Sequence, residues 1–228
     1  MGKGLLDLEK HFAFYGAYHS NRINIAIHMV FVWPIFFTAL LMLYFTPSLF
    51  NLPHLNFFLF GNHFVLVLNF GFLLALIYSV FYVCLDVKAG SLAALLCAIC
   101  WVASSFIASR LGFSLAWKVV LVAQILCWTV QFIGHGIFEG RAPALLDNLV
   151  QAFIMAPFFV LLEVHNFILI SRIPLPLQTM LYNWYFKLLQ ALQTFFGYEP
   201  YSGFHAIVQA KIEAEINEWQ DQKQKLIS

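Results

Sequence analysis

The sequence predicts an all-α integral membrane protein: a polytopic helical bundle of four to six membrane-embedded helices, with interfacial amphipathic helices and a soluble C-terminal helix. Three observations carry this. Of 228 residues, 62% are hydrophobic and only 10% are charged, whereas soluble domains carry about 25% charged residues. The mean hydropathy is +0.81, and a soluble domain of this size leaves roughly a quarter of its surface in water, too much for so apolar a chain. Finally, no Asp, Glu, Lys or Arg occurs between Ile23 and Leu85.

The elements follow in order. Residues 4–18 are amphipathic and aromatic, which suits a helix lying in the interface rather than a secretory signal. The uncharged stretch is too long for one crossing of about 20 residues. Pro47, Asn51, Pro53 and Asn56 break it in the middle. It reads as a first span near 23–45, a short wet or interfacial turn, and a second span near 63–85. Further spans are expected near 89–109 and 116–138. A fifth apolar segment, near 149–171, contains Pro157, Glu163, His165 and Asn166. Such polar groups suit a kinked span or a re-entrant helix buried in protein. Residues 176–197 again look interfacial, and after Gly203 the run Lys211, Glu213, Glu215, Glu218, Asp221, Lys223 and Lys225 marks a solvated helix.

Charge sets orientation and excludes one class of partner. Lys3, Lys10, Arg22, Lys88 and Arg141 fall on the side of the N-terminus, against Arg110 and Lys118 opposite, so the N-terminal side is expected to be cytosolic. The net charge of +1 offers no basic surface to nucleic acid. Cys97 and Cys100 form a CxxC, yet Leu-Leu and Trp-Val flank it. With Cys84 and Cys127 they read as packing residues, not as redox or metal groups.

In such a chain the ionisable residues are the informative ones, because each is costly near lipid. On the predicted topology His11, His19, His28 and His135 gather on the cytosolic side, with Asp86 and Glu139 at helix ends. His54 and His63 lie opposite. His11, Tyr15 and His19 are spaced by four and share a helix face, as do Asn24 and His28. On one continuous helix His19 and His28 would point in opposite directions. Ser20 and Asn21 are good N-cap residues, and a break there lets both imidazoles turn to one centre. Gln131, His135 and Glu139 again repeat at four, giving an imidazole and a carboxylate one turn apart. Neutral imidazoles with a carboxylate and open positions suit non-haem Fe(II), and zinc fits the same donors. The bland alternative, interfacial hydrogen bonding by each histidine, applies to any one of them taken alone.

The run from Phe14 through His19, Arg22, Asn24 and His28 to Pro34 resembles the N-terminal signature of the membrane 2-hydroxy fatty acid dioxygenase family. Gln131 to Leu145, with Gly134, His135, Phe138, Glu139, Arg141 and Pro143, resembles its second signature. Ala156 to Glu163 is a looser match, and Tyr82 to Asp86 followed by Gly90 is similar too. The resemblance covers about residues 5–172. It implies a membrane catalytic domain over 1–172, with an interfacial segment and soluble C-terminal helix over 173–228. The family includes fungal and plant proteins of the endoplasmic reticulum that shorten 2-hydroxy acids from phytosphingosine breakdown, and bacterial relatives.

What the resemblance implies is an Fe(II)-dependent α-oxidation. A 2-hydroxy long-chain acid loses its carboxyl carbon with O2 as oxidant, and neither haem nor 2-oxoglutarate takes part. Carried onto this sequence, the expected iron ligands are His19, His28 and His135. Glu139 is a fourth ligand or the orienter of a histidine, and Asp86 is a ligand or the acceptor of an imidazole N–H. Tyr15, Asn24 and Gln131 are expected to support the ligands from behind. Glu163 either bonds within the core or touches the site. Arg22 or Arg141 would pair with the substrate carboxylate, unless both are interfacial anchors. His11, His54, His63, His165 and His205 are left as structural or interfacial. Competing readings are a non-catalytic membrane lipid-binding or transport protein and a zinc-dependent membrane hydrolase. A di-iron desaturase is disfavoured, since no His-His pair occurs.

Overall fold

A computed structural model describes residues 4–49, 55–59, 61–143, 145, 147–170 and 199–227, with the side chains of 55, 59, 62–64, 164–170, 226 and 227 left out. His54 and the 176–197 segment lie outside the described residues, as does the His165 side chain. The chain is mostly helical. After a 3-10 turn at Gly4–Leu6 come α1 (Leu8–Tyr18), α2 (Arg22–Leu43), the strands β1 (Leu55–Leu59) and β2 (Asn62–Leu66), α3 (Phe70–Leu85) and α4 (Val87–Ile133). A π-helical segment (Gly134–Glu139), a π turn (Gln151–Met155), α5 (Ala156–Ile170) and α6 (Phe204–Ile227) complete it.

Two differences from the sequence reading concern the polar turn. It is an antiparallel hairpin, pairing Leu55 with Leu66 and Leu59 with Asn62, and aromatic and β-branched residues flanking a tight turn favour that outcome. Gly61 in this turn has φ +75°, a conformation glycine adopts without steric cost. Because Asn62–Leu66 is consumed by the hairpin, the second apolar helix starts at Phe70, not near 63. Asn69 caps it by accepting from the backbone of Gly71 (3.0 Å) and Phe72 (3.2 Å).

The 47-residue helix α4 is broken at Gly112, whose φ of +66° and ψ of 161° are non-helical. Contacts on either side show the chain doubling back there. Before Gly112, Trp101 packs on Phe72 and the Ser79 hydroxyl lies 3.5 Å from the Ala94 carbonyl, so this arm runs antiparallel to α3. After it, Phe113 meets Phe45, Gln124 donates to the Ile35 carbonyl (2.9 Å) and Thr38 Oγ1 (2.8 Å), and Asn24 reaches Glu139. That second arm runs antiparallel to α2. The spans expected near 89–109 and 116–138 correspond to these two arms.

Arg22–Leu43 and Val87–Glu139 are long and apolar enough to cross a membrane. The outward faces of α3 and α4 are apolar too, with Leu76, Ile77, Val80, Leu95, Ile99, Val122 and Ile125 all exposed. α3 has 16 residues, about 24 Å at 1.5 Å per residue, short of a hydrocarbon core of about 30 Å. The main core gathers Phe12 and Tyr15 of α1, Phe36 and Leu40 of α2, Tyr78 and Tyr82 of α3, Cys97 of α4 and Phe158 and Phe159 of α5. Phe204 and Val208 of α6 belong to the same core, so the charged terminal helix lays its apolar stripe on α1.

A three-histidine centre at the meeting of helix ends

Local chemistry breaks the chain between α1 and α2. His19 ends α1 with φ −132° and ψ 63°. Asn21 caps α2, its side chain accepting from the Ile23 N–H at 2.9 Å. The break turns His19 and His28 toward each other, and the π-helical segment that follows α4 brings His135 beside both. The ring centroids are 4.3 Å apart for His19 and His28, 4.9 Å for His19 and His135, and 4.8 Å for His28 and His135, all edge to face. One nitrogen from each ring lies within 4.8 Å of the others, and all three residues are buried.

Tautomers follow from the partners. His19 Nδ1 lies 2.8 Å from the Tyr15 carbonyl, and His28 Nδ1 lies 3.0 Å from that of Asn24. A carbonyl only accepts, so both Nδ1 atoms carry the proton and both Nε2 atoms present lone pairs. The Tyr15 ring stacks on His19 at 4.0 Å. His19 Nε2 and His135 Nδ1 are buried without a hydrogen-bond partner. An unpaired buried polar atom is destabilising, and two in one cluster of imidazoles fit a site that binds a cation. Burial, then the neighbouring His28 and His135, holds the His19 pKa well below its ordinary 6.5, so the ring is neutral as a ligand must be.

The structure directs Glu139 elsewhere. Its Oε1 accepts from the Asn21 backbone N–H (2.8 Å) and Asn24 Nδ2 (3.1 Å), and its Oε2 accepts from Ser20 Oγ (2.8 Å). Unpaired N–H groups and the positive end of the dipole at the start of α2 attract a carboxylate. Glu139 thus ties the segment carrying His135 to the joint carrying His19. Gly134 permits the approach: a Cβ there would collide with Asn24 Oδ1.

The other expected residues are placed as follows. Asp86 caps α4, accepting from the Ala89 N–H at 2.7 Å. It borders a separate pocket with Asp7, Tyr201 and Lys211. The Tyr15 hydroxyl donates to Glu163 Oε2 at 3.2 Å, behind the His19 ring, and burial together with Glu163 raises the Tyr15 pKa. Arg22 is exposed at the start of α2. The Arg141 guanidinium lies 3.5 Å from the Tyr18 ring centroid and donates to the Ala17 carbonyl (3.3 Å). His11 meets the Gly4 carbonyl at 3.1 Å. Gln131 is buried beside the triad with Nε2 unpaired.

A cavity of about 50 Å³ adjoins the three imidazoles, bordered also by Trp128, Gln131, Phe132, Pro143, Gln151 and Ala152. Sequence reasoning missed Trp128 and Gln151, and it missed Ser20 and Asn21 as partners of Glu139. Trp128 and Gln151 stand in apolar runs with no ligand spacing to mark them. Ser20 and Asn21 carried a capping signal, which gave no hint of the distant carboxylate.

Residues 5–168 match the family described as 2-hydroxy-palmitic acid dioxygenase Mpo1-like. The chain is 35% identical over 163 residues to 2-hydroxy-palmitic acid dioxygenase MPO1 of Saccharomyces cerevisiae, covering 72% of this chain and 82% of that protein. No solved structure matches the chain.

Proposed function

The chain belongs to the Mpo1-like family of 2-hydroxy-palmitic acid dioxygenases, and from that premise we propose that it is an Fe(II)-dependent enzyme shortening 2-hydroxy long-chain fatty acids by one carbon. The observation that carries the reading is the buried triad of His19, His28 and His135, with two ring nitrogens left unpaired. Three neutral imidazoles, from His19, His28 and His135, would hold a divalent iron while leaving other positions open. Iron there would supply the redox chemistry that lets O2 react with a closed-shell acid.

The chain's own residues do the rest. The carbonyls of Tyr15 and Asn24 hold the His19 and His28 rings with Nε2 inward, and such outer contacts fix tautomer and orientation. Glu139 keeps the third ring in register with the first. On this reading Glu139 is a positioning residue, Asp86 is the cap of α4, and Arg141 braces the end of α1 through Ala17 and Tyr18. The buried Gln131 amide is the donor closest in role to a binder of the acid's oxygens. The reaction balances with O2 as sole oxidant: R–CHOH–COOH and O2 together contain R–COOH, CO2 and H2O. No outside reductant is required.

The reading takes four crossings, by α2, α3 and the two arms of α4, with the 16-residue α3 crossing where the bilayer thins around it and α5 packed against the others. The proposed setting is the endoplasmic reticulum membrane, with the N-terminus and the triad on the cytosolic side. This rests on the distribution of basic residues and on the family resemblance. The decisive experiment is elemental analysis of detergent-purified protein, with O2 uptake on adding 2-hydroxyhexadecanoic acid. Near-stoichiometric iron and one O2 consumed per acid are expected. Zinc with activity retained under anaerobic conditions would replace this reading by a hydrolase. Protein free of metal and inert to O2 would leave a lipid-binding protein.

A further inference from the structure

A second cavity, of about 290 Å³, lies beyond the first. The two share Trp128, Gln131 and Ala152 in their linings, so they adjoin there. Three helices give it a stripe each. On α2, Val32, Ile35, Phe36 and Ala39 follow His28 on one face. α3 gives Tyr78 and Leu74, and the second arm of α4 gives Gln131, Trp128 and Gln124. None of its lining residues is charged.

The polar groups are distributed unevenly along it. The Tyr78 hydroxyl donates to the Phe153 carbonyl (2.8 Å), and Gln124 is bonded to Ile35 and Thr38. Both are satisfied within the protein, so the slot asks for no polar partner along its length. At the neck, Gln131 Nε2 is buried and unpaired. A ligand with a polar head beside the triad and an unbranched apolar tail matches that distribution.

We propose that this slot holds the acyl chain of the substrate, and that Ala39 and Leu74 at its far end measure chain length. The inference rests on the functional reading above and adds the specificity-determining residues to it. From His28 to Ala39 is eleven residues of helix, about 16 Å at 1.5 Å per residue. A zigzag of 1.5 Å bonds advances roughly 1.25 Å per carbon, so the slot spans about thirteen carbons. That length suits long-chain acids and leaves short ones with unfilled space. Moving one methylene out of apolar surroundings is worth about fourfold in binding.

Two substitutions of opposite effect test this. Ala39→Phe fills the end of the slot and is expected to lower the preference for 2-hydroxyhexadecanoate over 2-hydroxydecanoate, as a ratio of kcat/KM, at least tenfold. Leu74→Ala lengthens the slot and is expected to move the optimum toward 2-hydroxyeicosanoate. Equal changes on every chain length in both variants, or an unmoved preference, would overturn the proposal. A second measurement needs no turnover: displacement of a fluorescent fatty acid from protein in nanodiscs by the same acids. Loss of hexadecanoate-length displacement in Ala39→Phe, with decanoate-length displacement kept, supports the slot even where no 2-hydroxy acid is turned over. That latter result overturns the functional reading instead. Displacement identical in wild type and variant would sink the slot.

Discussion

Replacing Glu139 by Gln decides between two roles, ligand and tether. In the structure the carboxylate accepts three hydrogen bonds from the α1–α2 joint. Glutamine keeps one oxygen, enough for the Asn21 N–H and Asn24 Nδ2, and the Ser20 hydroxyl is free to rotate and accept from the new amide. What is lost is charge assistance, so the destabilisation is expected to be about 1–2 kcal/mol. Alanine removes every acceptor of Glu139, leaves the half-buried Asn21 N–H without its side-chain acceptor and Asn24 Nδ2 with only the Tyr18 carbonyl at 3.4 Å, and is expected to cost about 2–4 kcal/mol. Loss of a residue that orients ligands weakens metal binding by about 10–100-fold. The assay is titration of metal-free protein with Co(II), read from the visible bands, beside thermal melts. For Glu139→Gln a weaker titration with bands of unchanged position and intensity is expected. Shifted bands, meaning a changed donor set, would refute the tether and restore Glu139 as a ligand.

The remaining predictions follow the same geometry. His19→Ala, His28→Ala and His135→Ala should each abolish turnover and stoichiometric metal while leaving membrane insertion intact; wild-type-like activity in any two would refute the triad. Gly134→Ala places a methyl against Asn24 Oδ1 and should weaken metal binding tenfold or more. Gly136→Ala meets nothing within 4 Å and should be neutral, so equal losses in both would refute the close-approach argument. Acidification has a definite sign. His19 is held well below 6.5 in the folded protein, so between that lowered value and 6.5 the unfolded chain binds more protons. Stability of metal-free protein is therefore expected to fall as pH drops below about 6.5, and His19→Phe should flatten that slope in melts from pH 8 to pH 5. A wild-type protein that becomes more stable on acidification would contradict the assignment.

What the sequence made legible is what local chemistry decides. The break at Ser20 and Asn21 was readable because capping residues interrupt a helical stripe, and the convergence of His19, His28 and His135 followed from parity of the crossings. The hairpin at Leu55–Leu66 was not readable from charge and hydropathy, since an uncharged aromatic run looks alike as strand or helix end. The destination of Glu139 was not readable either. Spacing by four places it beside His135 on one face, but which free N–H groups lie within reach depends on how α2 packs against the end of α4. The slot along α2 stayed hidden for a similar reason: Val32, Ile35, Phe36 and Ala39 look like ordinary core positions until α3 and α4 leave space between them.

The absence of a carboxylate from the cluster, among the described residues, has a consequence for selectivity. Three imidazoles are neutral, so a divalent cation held by them keeps its full charge in a mostly apolar cavity. A site with an aspartate or glutamate ligand would offset part of that charge itself. Here an anionic ligand must do so, and in low dielectric the attraction is far stronger than in water. On the functional reading a 2-hydroxy acid would bring one negative charge and a neighbouring hydroxyl, and its tail would enter a slot whose polar groups beyond the Gln131 neck are satisfied within the protein. An alcohol or ester of the same length would fill the slot but leave the charge uncompensated. If the fatty alcohol bound metal-loaded protein as tightly as the 2-hydroxy acid, the charge argument would fail while the slot remained intact.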